Sequence, residues 1–414
     1  MDILRIATAG SVDDGKSTLI GRLLYETNSI TRDKLEALEA ASKRKGLDFL
    51  DLSLLTDGLI AEREQGITID VAHIYFSTSR RKYIIADTPG HFEYTRNMVT
   101  GASNARVSLI LVDARHGVVE QTFRHFFISS LLRIPKVIVC VNKMDLVGYS
   151  QERFLEIKKE FENLAAKVKF DEQSIEFVPI SSLYGVNLTQ KSEEVSWYEG
   201  DSLLGTLENY QPEVEQASLA RFPVQYVIRP KTETFHDYRG YAGKIASGHF
   251  RVGDEVVVLP TGQQSRIATI EKFDQKVERA ITRESVVITL EDDVDISRGN
   301  MLVKPNEEPN QLRELAAQVC WLDYQPLVSG KTLILQHGVN DAKTKVLSID
   351  ERIDVQSLEH LPAPGQLKLN EIGAIRLKTA KPIFADNYTE NPANGAFILI
   401  DEFTNSTVGV GFIN

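Results

Sequence analysis

A glycine-rich run, GSVDDGKS, lies near the start of the chain at positions 10–17. The run follows an apolar stretch and leads into the helical pattern STLIGRLL, which is the context that a phosphate-binding loop requires. In such a loop, backbone N–H groups and the helix N-terminus surround phosphates. We expect Lys16 to neutralise the β- and γ-phosphates of a nucleotide during catalysis and the Ser17 hydroxyl to bind Mg²⁺. The other predicted nucleotide contacts in this run are Gly10, Asp13, Asp14, Gly15 and Thr18.

A second group of residues indicates which base is bound. The N-K-x-D pattern at 142–145 stands at the end of an apolar run. Asp145 can accept hydrogen bonds from both N1–H and N2–H₂ of guanine, and adenine offers no matching pair. Asn142 and Lys143 are expected to brace the base and the phosphate-binding loop. The residues predicted to lie near guanine O6 are Ser181, Ser182 and Leu183.

A third group, DTPGH at 87–91, ends another apolar run and predicts the chemistry at the γ-phosphate. Asp87 would hold Mg²⁺ through its water shell, and the Gly90 N–H would meet the γ-phosphate. His91 is placed to orient the attacking water or to stabilise its transition state. Thr68 is the candidate for a second hydroxyl on Mg²⁺, and its loop, residues 28–66, would order only when the γ-phosphate is present. The predicted cofactors are therefore GTP and Mg²⁺.

A short run in the second half, SGKT at 329–332, looks like the end of another phosphate-binding loop. Gln325 stands where its first glycine belongs, and no helical pattern follows. We interpret this run as a turn that enters a β-strand. The two cysteines, Cys140 and Cys320, sit in apolar runs without metal-ligand spacing, which predicts buried structural thiols.

The elements that position the three groups are those of an α/β domain. Runs that are apolar at nearly every position are typical of parallel strands covered by helices on both faces. Such runs occupy residues 3–9, 83–87, 107–113, 136–142 and 176–180. A hairpin over 67–87 is predicted to turn at Ser79 to Arg81. Helices are predicted over Thr18 to Glu26, Gln121 to Leu132 and Glu152 to Lys167.

After Pro212 the pattern changes to short strands and frequent turns, which predicts β-barrels. Two sets of six strands are separated by a polar linker, NEEPNQL at 306–312. The predicted layout is a P-loop GTPase domain with a mostly parallel sheet at 1–214, a β-barrel at 215–307 and a second β-barrel at 308–414.

Charge and hydropathy limit the partners. The formal net charge is −11, so attraction of the whole surface to nucleic acid or anionic membrane is not expected. The chain shows neither a secretory signal pattern nor the roughly 20 apolar residues that span a bilayer. We therefore expect a soluble, cytoplasmic protein for which nucleic acid is an improbable partner.

The combined motifs GSVDDGKST, REQGITID, DTPGH, NKMD and SSL resemble the translation-factor branch of P-loop GTPases. The stretch 241–262 is similar to the second-domain barrel of that branch, which implies the three-domain layout of elongation factor Tu. Within the branch, the stretches 10–27, 54–78, 86–103 and 141–150 resemble the GTPase subunits of bacterial sulfate adenylyltransferase. That resemblance implies a nucleotidyltransferase complex in which GTP hydrolysis is coupled to synthesis of adenosine 5′-phosphosulfate from ATP and sulfate. It also implies a separate catalytic subunit as the partner.

Three functions stay open at this point. The first is a regulatory GTPase of sulfate activation, and the second is a carrier of aminoacyl-tRNA. Translation factors typically have the sequence G-H-V-D-H-G-K in the loop. Ser11 and Asp14 stand at the two histidine positions here, which argues against the carrier. The third is a GTP-binding assembly factor that hydrolyses slowly. The motifs alone predict a Mg²⁺-dependent GTPase with a γ-phosphate switch. They do not indicate which process or partner the GTPase serves. No second phosphate-binding loop is present, so a fused adenylylsulfate kinase activity is not expected.

Overall fold

The computed structural model describes residues 2–44, 50–55, 71–89, 95–168, 170–212, 219–230, 238–273, 275–354, 359–362 and 365–414, with backbone alone at 95 and 96. The chain divides into two compact units, and the division along the sequence falls between Pro212 and Glu213. We call the first the nucleotide unit and the second the barrel unit. Both barrels belong to the second unit, so the boundary predicted between residues 307 and 308 stays a prediction.

The nucleotide unit is built on one six-stranded sheet. Its strands are β1 (Ile3–Ala9), β2 (Ala72–Ser77), β3 (Lys82–Asp87), β4 (Val107–Asp113), β5 (Lys136–Asn142) and β6 (Ser174–Pro179), in the order β2-β3-β1-β4-β5-β6. Only β2 is antiparallel to its neighbour, as the predicted hairpin requires. Every residue of β4 is buried, which accounts for its continuous apolar run. The predicted α/β class is confirmed.

Helices of the nucleotide unit are α1 (Lys16–Glu26), α2 (Arg32–Arg44), α3 (Thr95–Ala102), α4 (Glu120–Leu131), α5 (Gln151–Ala165) and α6 (Leu203–Asn209). A short 3₁₀ helix spans Met144–Val147. The side chain of Ser150 accepts a hydrogen bond from the Arg153 N–H and so caps the start of α5. The three predicted helices are present, with ends that agree to within two residues. None of the helices in the described ranges is long and apolar enough to cross a membrane.

The first barrel of the barrel unit closes through six strands. They are β7 (Arg221–Ile228), β8 (Gly240–Lys244), β10 (Glu255–Leu259), β11 (Gln263–Lys272), β14 (Ser285–Leu290) and β15 (Met301–Val303), with β9 (His249–Arg251), β12 (Gln275–Val277) and β13 (Arg279–Ile281) as short additions. The order is β10-β15-β7-β8-β14-β11, and pairing of β10 with β11 closes the ring. Its core is a separate cluster of buried side chains.

The second barrel repeats this plan with other strands. They are β16 (Asn310–Trp321), β18 (Thr332–His337), β19 (Asn340–Ile353), β22 (Ile372–Ala385), β23 (Ala396–Ile400) and β24 (Thr407–Ile413); the minor elements are β17 (Leu327–Val328), β20 (His360–Pro362), β21 (Gln366–Leu367) and helix α7 (Pro392–Gly395). The order is β18-β23-β24-β16-β22-β19, closed by β18 with β19. The predicted fold, a GTPase-type domain and two β-barrels, is confirmed.

Three local predictions have different outcomes. The linker predicted over 306–312 is too long, because Asn310 already starts β16 by pairing with Ala385. The SGKT run is a turn, as predicted, since Gly330 has a φ of 87° and Thr332 starts a strand. Cys140 and Cys320 are both buried free thiols, also as predicted.

Candidate nucleotide site

The sequence-predicted groups meet at the carboxyl edge of the parallel strands in the nucleotide unit. The register places Thr8 beside Asp87 and Asp113 beside Asn142, so the ends of β1, β3, β4 and β5 lie at one edge. Ser181 follows the end of β6, the next strand along. Open parallel sheets bind ligands at this edge, at the point where the strand order reverses around β1. The structure therefore brings together the phosphate-binding loop, Asp87, the N-K-x-D motif and the S-S-L run.

The phosphate-binding loop has a shape that requires glycine at one position. Gly15 has a φ of 91°, and a Cβ there would lie 2.6 Å from Asn142 Nδ2. Both the left-handed backbone and the close approach exclude larger residues. Asp14 stabilises the turn, because its Oδ2 accepts the Ser11 N–H at 2.6 Å. Burial raises the pKa of the Asp14 carboxyl, and the hydrogen bond from Ser11 opposes that shift.

Lys16 points into this loop. Its Nζ donates to the carbonyl oxygens of Gly10 at 2.9 Å and Ser11 at 3.4 Å, and the residue is 8% exposed. Burial lowers the pKa of the Lys16 amine, whereas the charge of Asp87 raises it. The amine is thus held beside the first turn of α1, where the helix dipole also favours anions.

Asn142 joins the phosphate-binding loop to the S-S-L run. Its Nδ2 donates to the Asp14 carbonyl at 2.7 Å. Its Oδ1 accepts from both the N–H and the hydroxyl of Ser182, each at 2.9 Å. All of these groups are buried, so every bond of the Asn142 amide acts in a protected environment. The side chain therefore fixes the spacing of three loops.

Asp145 is half-buried, and its carboxylate lies beside the same run. Oδ1 accepts the Ser181 hydroxyl at 2.6 Å. Arg22 of α1, which the motif analysis did not select, donates to the carbonyl oxygens of Ser182 and Leu183. Arg22 thereby connects the helix after the phosphate-binding loop with the loop that carries Leu183. A basic residue on the first helix, six positions after the motif lysine, was its only sequence signal.

Asp87 and Ser17 supply oxygen atoms of the kind that Mg²⁺ prefers. Asp87 is 1% exposed, and its Oδ1 accepts the Thr8 hydroxyl at 2.9 Å. Ser17 is half-buried in the first turn of α1. In the part of the chain that the structure describes, no three His, Cys, Asp or Glu side chains cluster as a metal site. A Mg²⁺ ion bound with nucleotide phosphates needs only one or two carboxylates, so these residues fit it.

Three predicted site residues, Thr68, Gly90 and His91, lie outside the described residues. Their roles stay predictions. Two further residues at the edge were missed from the sequence, Asp113 and Arg115. The signal was a charged residue at the end of an otherwise apolar run, because Asp113 closes β4 in the same way that Asn142 closes β5.

Comparison with known proteins gives domain matches to the nucleotide unit and to the second barrel, and relatives that match along the whole chain. The model of the elongation factor Tu GTP binding domain matches residues 1–214, and the model described as GTP-eEF1A C-terminal domain-like matches residues 314–414. The bifunctional enzyme CysN/CysC of Mycobacterium tuberculosis strain H37Rv is 49% identical over 99% of this chain and 67% of that protein. Sulfate adenylyltransferase subunit 1 of Bacteroides fragilis is 49% identical over 100% of this chain and 86% of that protein.

A solved structure of sup35 complexed with GMPPNP is also similar, with 21% identity, a TM-score of 0.45 and coverage of 100% of this chain and 93% of that one. A likeness at that level adds nothing to the assignment. The domain match covers more than half of the chain, and the relatives match it at nearly half identity along its whole length. The chain therefore belongs to the elongation factor Tu-type GTPases and, among them, to the family of sulfate adenylyltransferase subunit 1.

Proposed function

We propose that this protein is the GTP-hydrolysing subunit of a sulfate adenylyltransferase. In this function GTP hydrolysis is coupled to synthesis of adenosine 5′-phosphosulfate from ATP and sulfate, which a separate catalytic subunit carries out. The observation that carries the GTPase part is the convergence of the phosphate-binding loop and the N-K-x-D motif on Asn142, which bonds to Asp14 at 2.7 Å. The relatives are named sulfate adenylyltransferase subunit 1. That name supports sulfate activation as the coupled reaction and implies a catalytic subunit as the partner.

Guanine recognition falls to Asp145 and its neighbours. The carboxylate accepts N1–H and N2–H₂ of the base, and the 2.6 Å bond from the Ser181 hydroxyl fixes its orientation. The N–H and hydroxyl of Ser182 both donate to Asn142, so we assign Ser182 to bracing. Guanine O6 is then left to the N–H of Leu183. An adenine base would leave the Asp145 carboxylate without its donors, which is the basis of the discrimination.

Phosphate binding uses polar groups of the phosphate-binding loop that hydrogen-bond to one another in this structure. The Lys16 amine exchanges the carbonyl oxygens of Gly10 and Ser11 for phosphate oxygens, and hydrogen bonds between charged groups are the stronger ones. Thr18 and the backbone of Asp13, in the same turn, complete the cradle. The Ser17 and Thr68 hydroxyls would hold Mg²⁺, and Asp87 would hold it through water. When bound, Mg²⁺ neutralises charge on the β- and γ-phosphates.

Hydrolysis requires a group that orients water at the γ-phosphate. We assign this role to His91, with Gly90 donating its N–H to the phosphate. The assignment rests on the position of both residues directly after Asp87-Thr88-Pro89 in the sequence, because Asp87 is the carboxylate that would hold Mg²⁺. Replacement of His91 by Ala is expected to abolish single-turnover hydrolysis while GTP still binds.

The experiment that tests the proposed function measures GTP hydrolysis by the full chain alone, and then with the catalytic sulfate adenylyltransferase subunit of the same organism. Each assay is run with and without ATP and sulfate. We expect stimulation that needs the partner and both of its substrates, and none with the His91→Ala variant. Unstimulated hydrolysis together with tight, GTP-dependent binding of aminoacyl-tRNA would contradict the proposal and favour the carrier.

A further inference from the structure

A charged cluster lies beside the N-K-x-D motif, and two of its members, Asp113 and Arg115, have no role assigned above. Asp113, the last residue of β4, is 3% exposed. Its Oδ1 accepts from Arg115 Nε at 3.0 Å and from the Arg115 backbone N–H at 2.9 Å. Its Oδ2 accepts from Arg115 Nη2 at 2.6 Å and lies 2.9 Å from Lys143 Nζ. One buried carboxylate therefore holds two cations at the nucleotide edge.

Lys143 links Asp113 to the phosphate-binding loop. Its Nζ also donates to the Asp13 carbonyl oxygen at 2.5 Å. Both residues have left-handed backbones, with a φ of 60° at Lys143 and 67° at Asp13. Such conformations are unfavourable for non-glycine residues and persist only where the surroundings fix them. The contacts from Asp113 to Lys143 and from Lys143 to Asp13 join these two strained positions.

The Asp113 carboxyl is charged, as its contacts with Arg115 and Lys143 require. Burial by itself would raise the pKa of its carboxyl, but the hydrogen bonds from Arg115 and Lys143 outweigh burial and hold that pKa well below its usual range. The carboxylate is therefore ionised at neutral pH, and the Lys143 ammonium has a fixed counter-charge. Lys143 is itself only partly exposed, so the pair is shielded from full screening by solvent.

We propose that Asp113 is a positioning residue for nucleotide binding, which acts through Lys143 to fix the spacing between the base-reading motif at 142–145 and the phosphate-binding loop at 10–17. The proposal rests on the proposed function, since it assumes that GTP binds at this edge. The proposed role of Asp113 is to hold Lys143, which bonds to the phosphate-binding loop, and not to read the base. Loss of Asp113 should weaken the binding of GDP, GTP and inosine triphosphate by the same factor. A change in base reading would instead alter the ratio of the affinities for GTP and inosine triphosphate.

The test compares wild type with Asp113→Asn, which keeps the shape and removes the charge. Equilibrium titration of the full chain with GDP, GTP and inosine triphosphate gives three dissociation constants. We expect each to rise by roughly tenfold to a hundredfold, which corresponds to the loss of one hydrogen bond between charged groups. The ratio of GTP to inosine triphosphate affinity should stay within twofold of wild type. The matched control is Asp350→Asn, which removes a carboxylate that Arg376 contacts in the second barrel, and it should change none of the constants.

A double-mutant cycle separates positioning from a general structural role. In a Lys143→Met background, Asp113→Asn should cost no more than a further twofold, because the contact through which it acts is already gone. Full additivity of the two changes would overturn the proposal. So would a wild-type dissociation constant in Asp113→Asn. If Asp113→Asn fails to fold, Asp113→Ser takes its place: an equal rise in all three dissociation constants supports the proposal, and unchanged affinity refutes it. A wild-type chain that binds no GTP would refute the proposed function as well, so the two failures are distinguishable.

Discussion

Two polar networks, one in each unit, are each built around a buried basic side chain and serve different ends. In the nucleotide unit, the Lys16 amine bonds to backbone carbonyl oxygens at an open sheet edge, beside loops with left-handed residues. In the barrel unit, Arg221 is 0% exposed and Asp386 is 5% exposed, and two hydrogen bonds of 2.9 and 2.8 Å join them. Asn391 and Asn394 add donors to the same carboxylate at 2.8 and 2.9 Å.

The difference lies in what completes each network. The Asp386 carboxylate receives four hydrogen bonds from side chains of the barrel unit, so it needs no ligand. It joins β7 of the first barrel to the segment after β22 of the second. The Lys16 amine, in contrast, holds weaker carbonyl acceptors that a phosphate can replace. A closed network of this kind stabilises the fold, and an open one serves binding.

The largest expected effect comes from breaking the closed network. Asp386→Ala leaves the Arg221 guanidinium buried without its counter-charge, which costs about 3–5 kcal/mol of unfolding free energy. A Trp197→Phe background leaves Trp321 as the fluorescent reporter of the barrel unit in urea unfolding. The matched control, Asp350→Ala, removes an exposed partner of Arg376 and should cost at most about 1 kcal/mol. Equal costs for the two variants would contradict the distinction between closed and exposed pairs.

The next effect concerns the two G-K-[S/T] lysines, one in each unit. Lys16→Ala removes a charged donor from the phosphates, and each such lost bond costs about 1.5–3 kcal/mol of binding free energy. Lys331→Ala is the matched control, because Lys331 Nζ lies 5.1 Å from the centre of the Trp321 ring in the second barrel. Titration with GTP should show a loss for Lys16→Ala alone. Wild-type affinity in that variant would remove Lys16 from the site.

A smaller effect should appear as a pH dependence of the nucleotide unit. Burial, with Lys16 and Arg124 nearby, lowers the pKa of His125 from 6.5 to about 3. The unfolded chain therefore binds the extra proton between these values, and stability is complete above pH 6.5 and falls as the pH drops below it. The expected fall is up to about 1.4 kcal/mol per pH unit. Urea unfolding at pH 7.5 and 5.5, followed through Trp197 in a Trp321→Phe background, measures it.

His125→Gln supplies the comparison for that measurement. The variant has no titrating group at this position, so its stability difference between the two pH values should be smaller than that of the parent by about 1 kcal/mol. An identical difference in both proteins would show that His125 does not contribute to the acid sensitivity. The absolute stability of the variant does not enter the result, because each protein is compared with itself.

The sequence predicted those features that depend on local pattern. Continuous apolar runs predicted β4 and β5, and the glycines of the phosphate-binding loop predicted the turn after β1. Contacts between distant segments carry no local signal. The Arg221 and Asp386 pair spans 165 positions, and the contact from Lys143 to Asp113 depends on the order of strands in the sheet. The polar residues at the start of β16 resemble a linker in the sequence, and the structure shows that the first two of them are exposed within a strand.

The base preference of Asp145→Asn decides whether this sheet edge reads guanine. In the proposed function the Asp145 carboxylate recognises guanine, and the Ser181 hydroxyl donates to it at 2.6 Å. An amide would donate where the carboxylate accepts, so competition binding should show a shift in preference from GTP towards xanthosine triphosphate. Wild type should prefer GTP under the same conditions. Unchanged GTP preference in Asp145→Asn would contradict the assignment of this sheet edge as the guanine nucleotide site.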